Sequence, residues 1–334
     1  MLPDSGAVEL SVIVPLYNEE LNIDYLFERL TFVLNRLNMA YEIVCVNDGS
    51  RDKTLERLIE YHDQNPTIKV VNLSRNYGKE VALSAGLDYA KGRAVVPIDA
   101  DLQDPPELIE DLVAKWREGY DVVYATRRSR HGESWLKRFT ANAFYRIIDS
   151  ISRVPIPRDT GDFRLLDRRV VDAIQQLPER TRFMKGLFAW VGFKQTSVLF
   201  DRPSRYKGET KWNYWRLWNF ALDGIMSFSF VPLKVWSYVG LFVAIPTFFY
   251  ASFLVLRTIF FGVDLPGYAS IMVAVLFLGG VQLVSLGVIG EYLGRVYEEV
   301  KGRPLYLVRE TYGFNSTQGN RTQESEAIAK EARR

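Results

Sequence analysis

The run PIDADLQDPPE, residues 97–107, places Asp99, Asp101, Asp104 and Glu107 in one short turn directly after an apolar strand. Carboxylates this close repel one another. Two environments relieve the repulsion: a solvated acidic loop, or a divalent cation that sits among the acids and bridges to a phosphate. His62 and His131 are the two histidines and Cys45 the one cysteine, which disfavours a histidine-based zinc or iron site. A metal bound here would take oxygen ligands, as magnesium and manganese do. A single cysteine also excludes a disulfide within the chain, and Cys45, inside YEIVCV, reads as a buried structural thiol.

The segments that must position this turn alternate in pattern. ELSVIVPLYN, YEIVCVNDGS, IKVVNLSRN, GRAVVPIDA and DVVYATR read as strands running into polar turns. Between them, NIDYLFERLTFVLNRL, KTLERLIEYH, KEVALSAGLDYA and PELIEDLVAKW carry apolar residues at helical spacing. Strands alternating with helices predict an α/β domain with a mostly parallel, doubly wound sheet. Its ligand crevice lies at the carboxyl ends of the strands, where YNE, NDGS, SRN and DADLQD all fall. No GxGxxG follows a strand and no GxxxxGK[ST] occurs, which argues against a nicotinamide or flavin site and against a P-loop.

The chain has 334 residues, 48% hydrophobic and 25% charged, with a net charge of only +2, so bulk electrostatics make no case for nucleic acid. MLPDSGAVEL has no basic stretch leading into an apolar core, so no secretory signal is expected. No charged residue occurs between Lys234 and Arg257 or between Asp264 and Glu291. Each gap exceeds the roughly 20 residues that span a bilayer, which predicts two transmembrane helices, about 235–257 and 268–291. Arg205, Lys207, Lys211, Arg216, Lys234, Arg295, Lys301 and Arg303 flank the pair on one side, so the large N-terminal domain is expected in the cytoplasm of a multi-pass membrane protein. SWLKRFTANAFYRIIDSI has an apolar helical stripe that suits either the core or the membrane interface. Trp212, Trp215 and Trp218 cluster just before the first span, as aromatic residues do at headgroup level. The polar end of the chain, from GFNSTQGN onward, reads as a disordered tail. The expected organisation is thus an α/β part over 1–133, a part with interface helices over 134–230, the two spans over 231–294, and a cytoplasmic segment with the disordered tail over 295–334.

VPLYNEE, VNDGS, RNYGKE, DADLQDPPE, GESWLKR, DTGDFRL, KGETKW and the paired C-terminal spans together resemble the family 2 glycosyltransferases, and within them the bacterial polyprenyl-phosphate glucosyltransferases. Dolichol-phosphate mannose synthases are more distant relatives. The resemblance implies a glycosyltransferase A-type fold and a hexose, glucose from UDP-glucose, moved onto a polyprenyl phosphate with inversion. It also implies that the part over 1–133 binds the nucleotide sugar and the part over 134–230 the acceptor. Its other implications are Mg2+ or Mn2+ as cofactor and a homo-oligomer. It places Pro15, Tyr17, Glu19 and Asp48 against the nucleotide, with Asn47 where the family commonly has a second acid. Lys79 falls where a nucleotide or phosphate contact is expected, a position a solvated lysine would also suit. Asp99 and Asp101 match the family's DxD pair, which puts Asp99 near ribose or metal and Asp101 and Gln103 on the metal. Asp162 is the position the family offers as catalytic base. An acceptor phosphate monoester is already largely dianionic at neutral pH, so Asp162 can equally serve to orient the attack.

Arg127, Ser134, Lys137, Arg138, Lys207 and Lys211 are the candidates for the acceptor phosphate, which needs cationic and helix N-terminal partners. Arg128 and Arg130 lie beside them. Three alternatives stand beside this reading: a processive polysaccharide synthase, the same acceptor with GDP-mannose or a UDP-aminosugar, and a catalytically silent membrane scaffold. The absence of a QxxRW motif counts against the first, and the intact DxD pair and GDFRL acid count against the last.

Overall fold

The computed structural model describes residues 7–127, 160–177, 179–180, 182, 184–200, 231–261 and 267–314. The first nine described elements alternate as the sequence predicts. They are β1 (Leu10–Leu16), α1 (Ile23–Arg36), β2 (Tyr41–Asn47), α2 (Thr54–Gln64), β3 (Ile68–Leu73), α3 (Lys79–Tyr89), β4 (Ala94–Pro97), α4 (Leu108–Arg117) and β5 (Val122–Arg127). Then come β6 (Thr160–Asp167), α5 (Arg168–Gln175), α6 (Met184–Trp190) and β7 (Gln195–Phe200). Two long helices, α7 (Val231–Phe261) and α8 (Tyr268–Lys301), and a last strand β8 (Val308–Tyr312) complete the described chain.

The strands form one sheet in the order β7-β5-β6-β4-β1-β2-β3-β8. β1 pairs in parallel with both β2 and β4, so the strand order reverses at β1, and the carboxyl end of β1 is the switch point at which such sheets form their ligand crevice. The central strands are apolar almost throughout because both faces of the sheet are covered. One core packs Val12, Val14, Leu26, Leu30, Ile109 and Leu112 between the sheet and α1, α2 and α4. The other packs Ile13, Val44, Leu83, Leu87, Val170 and Phe188 under α3, α5 and α6. Helix α1 serves the first core through Ile23, Leu26, Phe27, Leu30, Val33 and Leu34, a stripe at helical spacing.

β6 runs antiparallel to β4 and to β5. This orientation brings the start of β6, not its end, to the carboxyl end of β4. Thr160, Gly161 and Asp162 therefore face the turn that begins at Asp99.

The sequence predicts spans at about 235–257 and 268–291, and the helices run past those bounds. α8 continues beyond Glu291 because nothing breaks it before Gly302, whose φ of +66° caps the helix in the left-handed conformation glycine tolerates. By length and composition one stretch among the described residues is apolar enough to cross a membrane, Phe277–Lys301. After α8 the chain returns to the sheet, and β8 pairs antiparallel with β3. The Ser74 N–H donates to the Leu307 carbonyl at 2.9 Å, and the Arg180 N–H donates to the Glu299 carboxylate at 2.7 Å. The interface-helix segment, the tryptophan cluster and the tail from 315 lie outside the described residues.

Candidate active site

The crevice rim is built from the turns that follow β1 and β2, which are tied to each other. The Asn18 N–H donates to the Ser50 hydroxyl at 3.0 Å, and the Asn18 side chain accepts from the Arg51 N–H at 2.8 Å. Asn18 itself has a φ of +52°, a conformation asparagine adopts more readily than most residues. Pro15 lies in β1 beside Val46, and Tyr17 follows the strand directly. The Glu19 carboxylate accepts from the Asn22 side chain at 2.7 Å, and the Glu19 N–H donates to the Thr54 hydroxyl at 2.9 Å. Asn47 is structural: its side-chain amide donates to Asn72 at 2.9 Å. Gly49 has a φ of +65°, and a Cβ there would lie 2.5 Å from the Arg75 backbone, so the close approach of the two turns requires glycine.

Asp48 is buried at 3% exposure, and both of its oxygens are engaged. One accepts the Tyr77 N–H at 2.7 Å and the other the Gly78 N–H at 2.9 Å. Burial raises its pKa, and those two N–H groups oppose the rise. A base contact made by Asp48 would therefore have to use the lone pairs these bonds leave over. What Asp48 does in this structure is clamp the loop that delivers Lys79, the first residue of α3.

The four acids of the opening run do not converge on one point. Glu107 forms an ion pair with Arg29. Asp104 is buried at 5% exposure. One Asp101 oxygen accepts the backbone N–H of Gln103 at 3.2 Å. Leu102 between them has a φ of +54° and is 3% exposed, so its buried side chain anchors a conformation that costs a branched residue about 1–2 kcal/mol. Among the described residues no three or more His, Cys, Asp or Glu side chains are gathered as a metal cluster.

Asp99 instead meets Asp162 through Lys79. The Lys79 Nζ lies 2.7 Å from Asp99 Oδ1 and 2.6 Å from Asp162 Oδ2. The ammonium thus bridges the end of β4 and the start of β6. Burial works against the Lys79 charge, but Asp162 and Asp99 outweigh it and hold the pKa well above the ordinary lysine value. Burial likewise favours protonation of Asp162, yet Lys79, Lys185 and Arg164 together hold its pKa well below the usual carboxylate range. Asp162 Oδ1 is buried with no hydrogen-bond partner among the described residues.

Behind this pair stand groups that sequence reasoning missed or left as neighbours. Arg164 is 3% exposed, donates to the Gly161 carbonyl at 2.8 Å and stacks 4.2 Å from the Phe188 ring centroid. Burial lowers its pKa to about 10. The Glu80 carboxylate accepts the Met184 N–H at 3.1 Å, and burial together with the Asp162 charge pushes its pKa up to about 7. The only signal for Glu80 in the sequence was its place beside Lys79 in RNYGKE. Of the acceptor-phosphate candidates, Arg127 ends β5. Ser134, Lys137, Arg138, Lys207 and Lys211 lie outside the described residues.

The sequence model described as Glycosyl transferase family 2 matches residues 11–175, and the one described as GtrB C-terminal hairpin matches residues 231–296. A Synechocystis sp. protein described as an uncharacterized glycosyltransferase is 69% identical over 307 residues, covering 92% of this chain and 96% of that one. The bactoprenol glucosyl transferase of Shigella phage SfII is 46% identical over 308 residues, covering 92% of this chain and 100% of that one. Among solved structures, glucosyl-3-phosphoglycerate synthase from Mycobacterium tuberculosis, in complex with Mn2+, UDP and phosphoglyceric acid, aligns with a TM-score of 0.48 at 19% identity. That alignment covers 66% of this chain and 77% of that one. With sequence relatives at 46% and 69% identity aligned over nine-tenths of its length, the chain belongs to glycosyl transferase family 2 and is a glycosyltransferase.

Proposed function

We propose that the enzyme transfers glucose from UDP-glucose to a polyprenyl phosphate at the cytoplasmic face of the membrane, with inversion at the anomeric carbon. One observation carries the reading. Asp99 and Asp162 meet at one end of the sheet, in a chain aligned over 92% of its length with a bactoprenol glucosyl transferase. The nucleotide lies against Pro15, Tyr17, Glu19 and the Asp48-clamped loop. Arg127, together with Ser134, Lys137, Arg138, Lys207 and Lys211 from outside the described residues, supplies the cationic and hydroxyl partners of the acceptor phosphate. The helices α7 and α8 cross the bilayer as a hairpin and keep the crevice at the surface where the lipid headgroup lies. The resemblance also favours a homo-oligomer.

The Asp99 and Asp101 carboxylates and the Gln103 amide are oxygen donors on one turn, a set that fits Mg2+ or Mn2+ and leaves positions for a diphosphate. The ion, when bound, supplies neutralising charge for the departing diphosphate.

In the transfer itself, an oxygen of the acceptor phosphate forms a bond to the anomeric carbon as the bond from that carbon to the UDP β-phosphate oxygen breaks. The electron pair of the broken bond leaves with UDP. The nucleophile needs no base, because a phosphate monoester has its second pKa near 6 and is mostly dianionic at neutral pH. Asp162 is poorly suited to accept a proton, since three cations keep it ionised far below neutrality. Its role is to hold the sugar in line for attack.

Membranes from cells expressing the protein, incubated with a panel of radiolabelled nucleotide sugars, test the donor. UDP-glucose should be the donor that yields organic-extractable label. Extractable label from GDP-mannose or a UDP-aminosugar instead would replace glucose in this account.

A further inference from the structure

Lys79 does more than the nucleotide contact expected of it. Its ammonium lies within 2.8 Å of both Asp99 oxygens and 2.6 Å from Asp162, and its side chain is 40% exposed. Two elements far apart in sequence are joined by this one charge. The loop that carries it is fixed from below by the two backbone hydrogen bonds to Asp48. A cation coordinated by Asp99 would need the same oxygens the ammonium now holds.

We infer that Lys79 is a positioning residue that joins Asp99 to Asp162 in the donor-free enzyme, and that a divalent cation must displace it from Asp99. The inference rests on the proposed metal-dependent transfer. In the free enzyme the ammonium relieves the repulsion between two carboxylates that would otherwise push the strand ends apart. When the donor and its cation arrive, Asp99 changes partner and Lys79 stays on Asp162. The site therefore holds its shape in both states, and tight cation binding is confined to the state in which a diphosphate helps to displace the lysine.

The test is Mn2+ binding to the purified full-length enzyme without donor, read by the loss of the free-ion electron paramagnetic resonance signal. Lys79→Met should bind Mn2+ at least about tenfold more tightly than wild type, the order expected for removing an adjacent like charge in partly solvated surroundings. Its kcat should fall, and its KM for UDP-glucose should fall too, because donor binding no longer has to displace the lysine. Lys185→Met removes a cation that acts on Asp162 without bonding to Asp99, and it should alter Mn2+ affinity by less than about threefold. Should Lys79→Met fail to fold, Lys79→Gln, which removes the charge and keeps a polar side chain, gives the same reading: tighter Mn2+ binding is expected, and unchanged or weaker binding overturns the inference. Unchanged or weaker Mn2+ binding in Lys79→Met, or equal tightening in Lys185→Met, would overturn the inference. If UDP-glucose transfer by the wild type is intact in those cases, the proposed function stands and only the role of Lys79 falls.

Discussion

The Asp48 carboxylate accepts the Gly78 N–H at 2.9 Å, one residue before the lysine that bridges Asp99 and Asp162. A buried acid at the end of β2 thereby sets where α3 begins. Replacing it tests whether that anchoring or base recognition is its main work. Asp48→Ala strands two backbone donors and should cost about 2–4 kcal/mol in thermal or denaturant unfolding. Asp48→Asn keeps one acceptor and should cost less. A variant of full stability with only a raised KM for UDP-glucose would mean that Asp48 acts on the base alone.

Glu80 makes stability depend on pH in an unusual direction. Its folded pKa, about 7, lies above the ordinary 4.5, so the fold favours the protonated acid. Its contribution is complete below about pH 4.5 and is lost as pH rises through 7. Glu80→Gln mimics the protonated form and can still accept the Met184 N–H. Unfolding curves from pH 5 to 8 should show the variant gaining on wild type as pH rises. A constant difference across that range would show that Glu80 is ionised throughout.

Asp162 separates two mechanisms by the shape of a pH profile. With the acceptor dianion as nucleophile, the wild-type rate should rise with pH through about 6. Asp162→Asn should keep that inflection and lose rate mainly through poorer placement of the sugar, whereas a true general base would cost about a hundredfold or more at every pH. Loss of the inflection in the variant would make Asp162 the proton acceptor.

Topology can be read with introduced cysteines, because the native Cys45 is fully buried. Asp264→Cys, between the two long helices, should react with an impermeant maleimide added outside intact cells. Ser316→Cys, in the C-terminal tail, should react only after the membrane is opened. Labelling of the tail from outside would break the two-span arrangement.

The first nine elements were legible in the sequence because strand and helix periods alternate cleanly there and each polar turn falls at a strand end. The place of the acidic turn, at the end of β4, was legible for the same reason. The direction of β6 was not: TGDFRLLD carries no mark that it pairs antiparallel with β4, yet that pairing is what brings Asp162 to Asp99. Strand β8 was hidden as well, since VRETY is short and charged and gains its identity only at the β3 edge. Lys79 was visible as a basic residue near the crevice. Its bridging position depends on the Asp48 clamp and on β6, both of them contacts between distant segments.

The most direct test of the whole account uses purified enzyme, radiolabelled UDP-glucose and a divalent cation, with either polyprenyl phosphate or the matching polyprenol as acceptor. Label should pass into the organic phase with the phosphate and not with the alcohol, and Asp101→Asn should abolish the transfer while remaining folded. Equal labelling of the alcohol, or no lipid-borne label from wild type, would contradict transfer to a lipid phosphate at this site.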